Sequence, residues 1–236
     1  MPEFDLVYSP HWFYGKDIAI DSVSIIVLLL IAFFSYQCYR TRKTCKNPLW
    51  LAVSFFLLAL SFAAKILVNF TLYREVLRTE SIGPFSMIYE TMAASPVLFI
   101  AGFFAYRVLT LLGLYMLYSV YSERQSFTTK VLIMFFILMS THLSYSSYYA
   151  FHVTALALLA LTTYTYIQKM CECGMKTSLL LAFSYGLITL SQFFFIFIRA
   201  QESLYVIGEA VQLVGYLLLA FIFLRALYHG KKACAN

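Results

Sequence analysis

The chain has 236 residues, of which 62% are hydrophobic and 12% charged, with a formal net charge of +6. Soluble domains run at about half apolar and roughly a quarter charged, so this composition excludes an ordinary water-solvated fold and makes the bilayer the solvent. The basic residues sit in short segments between apolar runs and not along one solvated face, so they read as topology signals and no nucleic-acid partner is expected.

In hydrocarbon each backbone amide and carbonyl needs an internal partner, which leaves only helices and closed barrels as spanning structures. Ile25 to Phe34 and Leu217 to Leu224 are continuously apolar, and Leu51 to Leu60 is broken only by Ser54. Barrel strands alternate apolar and polar over about ten residues, so the runs predict helices and an all-α, polytopic membrane protein. Met1 to Lys16 carries Glu3 and Asp5 and lacks both the basic start and the small-residue cleavage pattern of a signal peptide, so the first helix is expected to be retained. Crossing a core of about 30 Å takes roughly 20 residues. In chain order seven helices are predicted: Asp17 to Tyr39, Pro48 to Tyr73, Thr91 to Tyr121, Thr128 to Ser144, Ser147 to Ile167, Thr177 to Ala200 and Ser203 to Tyr228. The fourth has the shortest uninterrupted apolar stretch, Val131 to Met139, and is followed by the polar run Ser144 to Ser147. Merging it with the fifth gives a span of about 60 Å, roughly twice the core, so two short helices fit better.

Cytoplasmic loops hold the excess of Lys and Arg. One side collects eleven: Arg40, Arg42, Lys43 and Lys46, then Arg124 and Lys130, Lys169 and Lys176, and Arg225, Lys231 and Lys232. The other has four, Lys16, Arg74, Arg78 and Arg199, accompanied by Glu3, Asp5, Glu75, Glu80 and Glu202. The expected topology is therefore a multi-pass protein of the cell membrane with its amino terminus outside and its carboxyl terminus in the cytoplasm. Trp12 to Tyr14, Tyr145, Tyr148 and Tyr149 fall at outer boundaries, and Tyr39, Trp50 and Tyr121 at inner ones, as interfacial aromatic belts require. No repeat, linker or soluble output domain is read from the chain, so a receptor built this way acts through another membrane or cytoplasmic protein.

An unpaired charge at mid-bilayer costs at least about 2.5 to 3.5 kcal/mol on insertion scales, which makes ionisable residues within spans the functional candidates. Lys65 shares a helix face with Ser54, Ser61 and Asn69, and Glu209 shares one with Tyr205, Gln212 and Tyr216. Counting about 1.5 Å per residue, Lys65 lies about 12 Å, Glu209 about 9 Å and Gln192 about 12 Å below the outer helix ends. The expectation is an outer-leaflet cluster of Lys65, Glu209, Gln192 and Gln212 in which an ion pair offsets insertion cost and the amides order a ligand or water. The bland alternative is that Lys65 snorkels to the interface and Glu209 stays protonated. Arg107, near the middle of the third helix, is too deep to snorkel and is expected to be buried against hydroxyls such as Tyr106, Thr110 or Tyr118, with a ligand or a purely structural role open.

His142 and His152 flank the outer turn between helices four and five and read as ordinary interfacial histidines, with no further ligands for haem or metal beside them. Cys38, Cys45, Cys171, Cys173 and Cys234 all fall on the cytoplasmic side, where reducing conditions disfavour disulfides. Cys45, Cys171 and Cys173 are weak candidates for a thiolate metal site, juxtamembrane cysteines can be acylated, and free thiols are the simplest reading. Asn69-Phe70-Thr71 matches a glycosylation acceptor but lies at the membrane boundary and is read as chance. No Walker loop, HExxH, GxSxG or aspartate-rich metal motif appears, so no enzyme is indicated and no cofactor is predicted, although lipid modification by other residues stays open. The last helix has no lysine between Ser203 and Tyr228, which excludes a retinal Schiff base there.

Ser54 to Ile66, SFFLLALSFAAKI, and Tyr205 to Leu219, YVIGEAVQLVGYLLL, resemble segments of small uncharacterised archaeal seven-helix membrane proteins. More loosely, the helix rhythm looks like that of the seven-helix input modules of prokaryotic sensors. The resemblance implies no catalytic residues. The first reading of the chain is a sensor or ligand-binding module that holds a small molecule or lipid in the outer half of the bundle, lined by Lys65, Glu209, Gln192 and Gln212, and couples to another protein. An accessory or scaffold subunit of a larger membrane complex is the first alternative, and Gly102, Gly113, Gly208 and Gly215 would permit its close helix contacts. A small-molecule or proton-coupled transporter is the second, disfavoured by the odd helix count and the lack of an inverted repeat.

Overall fold

Apolar stretches of this length turn every backbone polar group inward along the helix axis, and seven α-helices result among the described residues, with no strand. A computed structural model describes residues 9–13, 15–41, 47–76, 96–122, 126–173 and 176–233. The helices are α1 (Lys16–Thr41), α2 (Asn47–Val76), α3 (Pro96–Tyr121), α4 (Phe127–Leu143), α5 (Tyr149–Cys173), α6 (Lys176–Ile196) and α7 (Ser203–Ala233). Six of them are long and apolar enough to cross a membrane, and α4, with 17 residues, is shorter. The chain is thus a polytopic helical membrane protein.

Most helix limits lie within three residues of those predicted, and the larger departures have local causes. Helices α5 and α7 run on to Cys173 and Ala233. A hydropathy reading stops at the membrane boundary, whereas backbone hydrogen bonding does not. Helix α6 ends early, at Ile196, because the chain tightens there: Phe197 N–H donates to the Phe194 carbonyl and Ala200 N–H to that of Phe197. The Tyr148 hydroxyl, arriving from the turn between α4 and α5, donates at 2.6 Å to the Ile196 carbonyl and satisfies one of the acceptors a helix end leaves open. The predicted start of the third helix at Thr91 lies outside the described residues.

The packing order is not the chain order. Helices α1, α2, α3, α5, α6 and α7 form a closed ring in that sequence, and α4 lies outside it against α3 and α5. Only Ile137, Ser140 and Thr141 of α4 are buried, while Leu132, Phe135, Phe136 and Met139 are exposed, an apolar face that suits lipid. Small residues set the closest approaches. A Cβ at Gly113 would lie 2.9 Å from Leu58 Cγ and 3.2 Å from the Ser54 carbonyl, and in the space left the Ser54 hydroxyl donates to the Gly113 carbonyl at 2.7 Å. On the far side of α2, Phe55 meets Phe223 and Phe62 meets Tyr216 of α7 edge to face.

The N side of the bundle is the end at which α1, α3, α5 and α7 begin, and the C side is the opposite end. On the N side a short turn, His11–Phe13, precedes α1. Its Phe13 is buried with its ring centre 6.3 Å from that of Tyr205, and Gly15, at φ +81°, redirects the chain into α1 through a conformation that favours glycine.

Candidate functional site: a charged junction of α1, α2 and α7

Two carboxylates and a lysine meet within the N-side half of the ring. Asp17 and Asp21 stand one turn apart on one face of α1, and both are buried. Lys65 and Asn69 stand one turn apart on α2, which runs the opposite way, so the helices present them as two rungs: Lys65 opposite Asp21 and Asn69 opposite Asp17. Glu209 enters from α7 and is 2% exposed. Lys65 Nζ lies 2.9 Å from Asp21 Oδ1 and 2.6 Å from Glu209 Oε1, with its side chain 13% exposed. The Asn69 amide donates to Asp17 Oδ2 at 3.4 Å, and the Ile18 N–H donates to Asp17 Oδ1 at 2.8 Å.

Ring faces complete the surroundings of the ammonium, with the centres of Phe62 and Tyr205 at 5.7 and 5.9 Å from Nζ. A charge pair so far from water survives only when geometry and extra hydrogen bonds offset the cost of desolvation, and here the lysine has two acceptors instead of one. The arrangement ties three helices together through one nitrogen. Chemically it is a cation site that the chain's own ammonium occupies.

The structure brings together Lys65 and Glu209 of the predicted cluster and sends the two glutamines elsewhere. Gln192 Oε1 lies 3.0 Å from His152 Nδ1 on α5, and its amide nitrogen reaches Ser191 at 3.4 Å. The Gln212 amide donates to the Tyr216 hydroxyl one turn along its own helix, at 3.3 Å. Neither hydrogen-bonds to Lys65 or Glu209, although both are buried. Position in the ring is the reason for Gln192: α6 packs between α5 and α7, and this side chain takes its partner from α5. His152 is accordingly drawn inward between Phe151 and Phe195, with ring centres at 4.9 and 5.2 Å, and is not at the exposed corner expected for it, where His142 stays.

Arg107 is buried, with a backbone carbonyl and two aromatic rings among its contacts. Its Nη1 donates to the backbone carbonyl of Ser144, and its guanidinium lies 3.8 Å from the ring centre of Phe103 and 5.4 Å from that of Phe151. Ser144 is the residue that ends α4, where carbonyls lack helical partners and a cation meets the negative end of the helix. The Thr110 hydroxyl donates to the Tyr106 carbonyl of its own helix.

Asp21 was missed from the sequence. Its signal was present: an acid one turn inside an apolar helix, four residues after Asp17 on the same face. The pair reads as the polar start of a helix, which hides that the second carboxylate is already deep enough to meet Lys65. Of the thiolate candidates, Cys171 is exposed on the C side, while Cys45 and the side chain of Cys173 lie outside the described residues. Comparison of the chain with known protein families, with curated proteins and with solved structures finds no match.

Proposed function

We propose that the chain is a seven-helix membrane sensor or ligand-binding module, with its N side outside and its C side in the cytoplasm, that acts through a partner protein. The observation that carries this reading is the ammonium of Lys65 held between Asp21 and Glu209, because one nitrogen there joins three helices. A ligand that takes either carboxylate changes how α1, α2 and α7 are held, and the change runs along their whole length to the C side. Desolvated charge pairs of this kind are costly as pure structure, and an apolar trio of similar volume would pack at least as well, so their presence favours a switching role. The basic C side and the acidic residues near the N side support the orientation.

Extraction into native nanodiscs followed by mass spectrometry of intact particles tests the proposal. A stoichiometric partner whose recovery changes in Glu209→Gln supports it. A partner retained identically in wild type and Glu209→Gln favours the accessory-subunit reading, and substrate flux into liposomes by the lone chain favours a transporter.

A further inference from the structure

With Asp21 and Glu209 both ionised, the charges at the junction do not balance. Asp17 is provided for: the Ile18 N–H and the Asn69 amide reach its two oxygens, and it stands in the first turn of α1, where open N–H groups favour an anion. Asp21, one turn deeper, shares Lys65 with Glu209, so one ammonium serves two carboxylates. Asp21 Oδ1 takes that ammonium, whereas Asp21 Oδ2 has no hydrogen-bond partner in a residue that is 0% exposed. A buried carboxylate oxygen without a donor is expensive in a low-dielectric interior, and it marks a place where an ion or donor belongs.

The surroundings indicate which ion. Among the described residues no three His, Cys, Asp or Glu side chains are grouped as a metal ion needs. What the junction visibly recognises is an ammonium, by two carboxylates and the faces of Phe62 and Tyr205. Carboxylates beside aromatic faces are the recognition chemistry of protonated amines. We propose that the junction, which is closed around Asp21 Oδ2 in this structure, opens to bind a small protonated amine whose ammonium seats on that oxygen beside Lys65; this names the ligand class of the sensor reading and rests on it. With the amine in place, two ammonium groups face Asp21 and Glu209 and the site is neutral. Tyr205, whose ring stands over Lys65, is also the ring that Phe13 packs against, so the His11–Phe13 turn lies at the edge of the site.

The test is thermal unfolding of the purified chain in lipid nanodiscs at constant ionic strength, with methylammonium, sodium, choline or N-methylglucamine chloride, at mildly acid and mildly alkaline pH. The expected result is a saturable rise in Tm of several degrees with methylammonium alone, larger at the alkaline pH because a proton competes for the same oxygen. Asp21→Asn and Glu209→Gln should each abolish it, since either removes the unbalanced negative charge, and the second variant serves if the first does not fold. Equal responses to all four salts, a response to sodium alone, a Tm that follows pH without any amine effect, or a methylammonium effect undiminished in either variant would overturn the proposal. Loss of the amine effect and loss of the sensor reading are separable. A partner whose recovery still depends on Glu209 without any amine response removes only the amine, and an amine response in a chain without a partner removes only the partner-coupled reading.

Discussion

Lys65 is the residue on which the junction turns, because it is the cation between Asp21 and Glu209. Taking one partner from a buried ion pair leaves an uncompensated charge in low dielectric and typically costs about 3–5 kcal/mol. Lys65→Met should therefore lower stability by an amount of that order, measured by unfolding in detergent or nanodiscs. Glu209→Gln added to Lys65→Met should cost far less than the two single changes suggest, because the second change removes a charge that the first has stranded. Strict additivity would mean that the two side chains do not interact in the folded chain. Asp21 deserved a place beside them on sequence grounds, since an acid within an apolar helix needs a partner wherever it is found. What hid it was its closeness to the helix start, where an acid is ordinarily unremarkable.

At the level of elements, α4 depends on its neighbours more than the other helices do. It lies outside the ring and buries little, and its C-terminal end is met by Arg107 from α3. Arg107→Met should leave the Ser144 carbonyl without that donor, at a cost of about 1–3 kcal/mol. Hydrogen exchange should localise the effect to the turn between α4 and α5, and a change spread evenly over the ring would contradict the local role assigned to Arg107. The contact between α2 and α3 offers a second test. In Gly113→Val the new side chain meets Leu58 and the Ser54 carbonyl, so the helices have to separate and the Ser54 to Gly113 bond lengthens. Overpacking of this kind costs about 1–3 kcal/mol, whereas Gly186→Ala, in the interior of α6 where a Cβ meets nothing within 4 Å, should be neutral or stabilising by up to about 1 kcal/mol.

For the whole molecule the decisive quantity is orientation. Cys38 near the end of α1 and Cys171 near the end of α5 are both exposed on the C side, so single-cysteine variants carrying one or the other should behave alike. A membrane-impermeant maleimide should label both in inverted vesicles and neither in intact cells. Labelling of both from outside reverses the proposed topology, and labelling from opposite faces breaks the alternation of helices on which it depends. The tally of basic residues predicts the first result, because the sides differ so strongly in Lys and Arg.

The sequence by itself determined the solvent, the secondary structure and the approximate limits of seven helices, because hydropathy is a local property read over about 20 residues and hydrocarbon leaves the backbone few choices. It also placed Lys65 and Glu209 at one depth, since rise per residue converts directly into height. Only the tertiary structure decided which side chains at that depth meet. Helical periodicity names the residues that share a face but not the helix that face looks at. That choice depends on the order of the ring, in which α1 stands beside both α2 and α7 while α4 is left outside. This order brings Asp21 to Lys65, turns Gln192 toward His152, and leaves Asp21 Oδ2 buried without a donor.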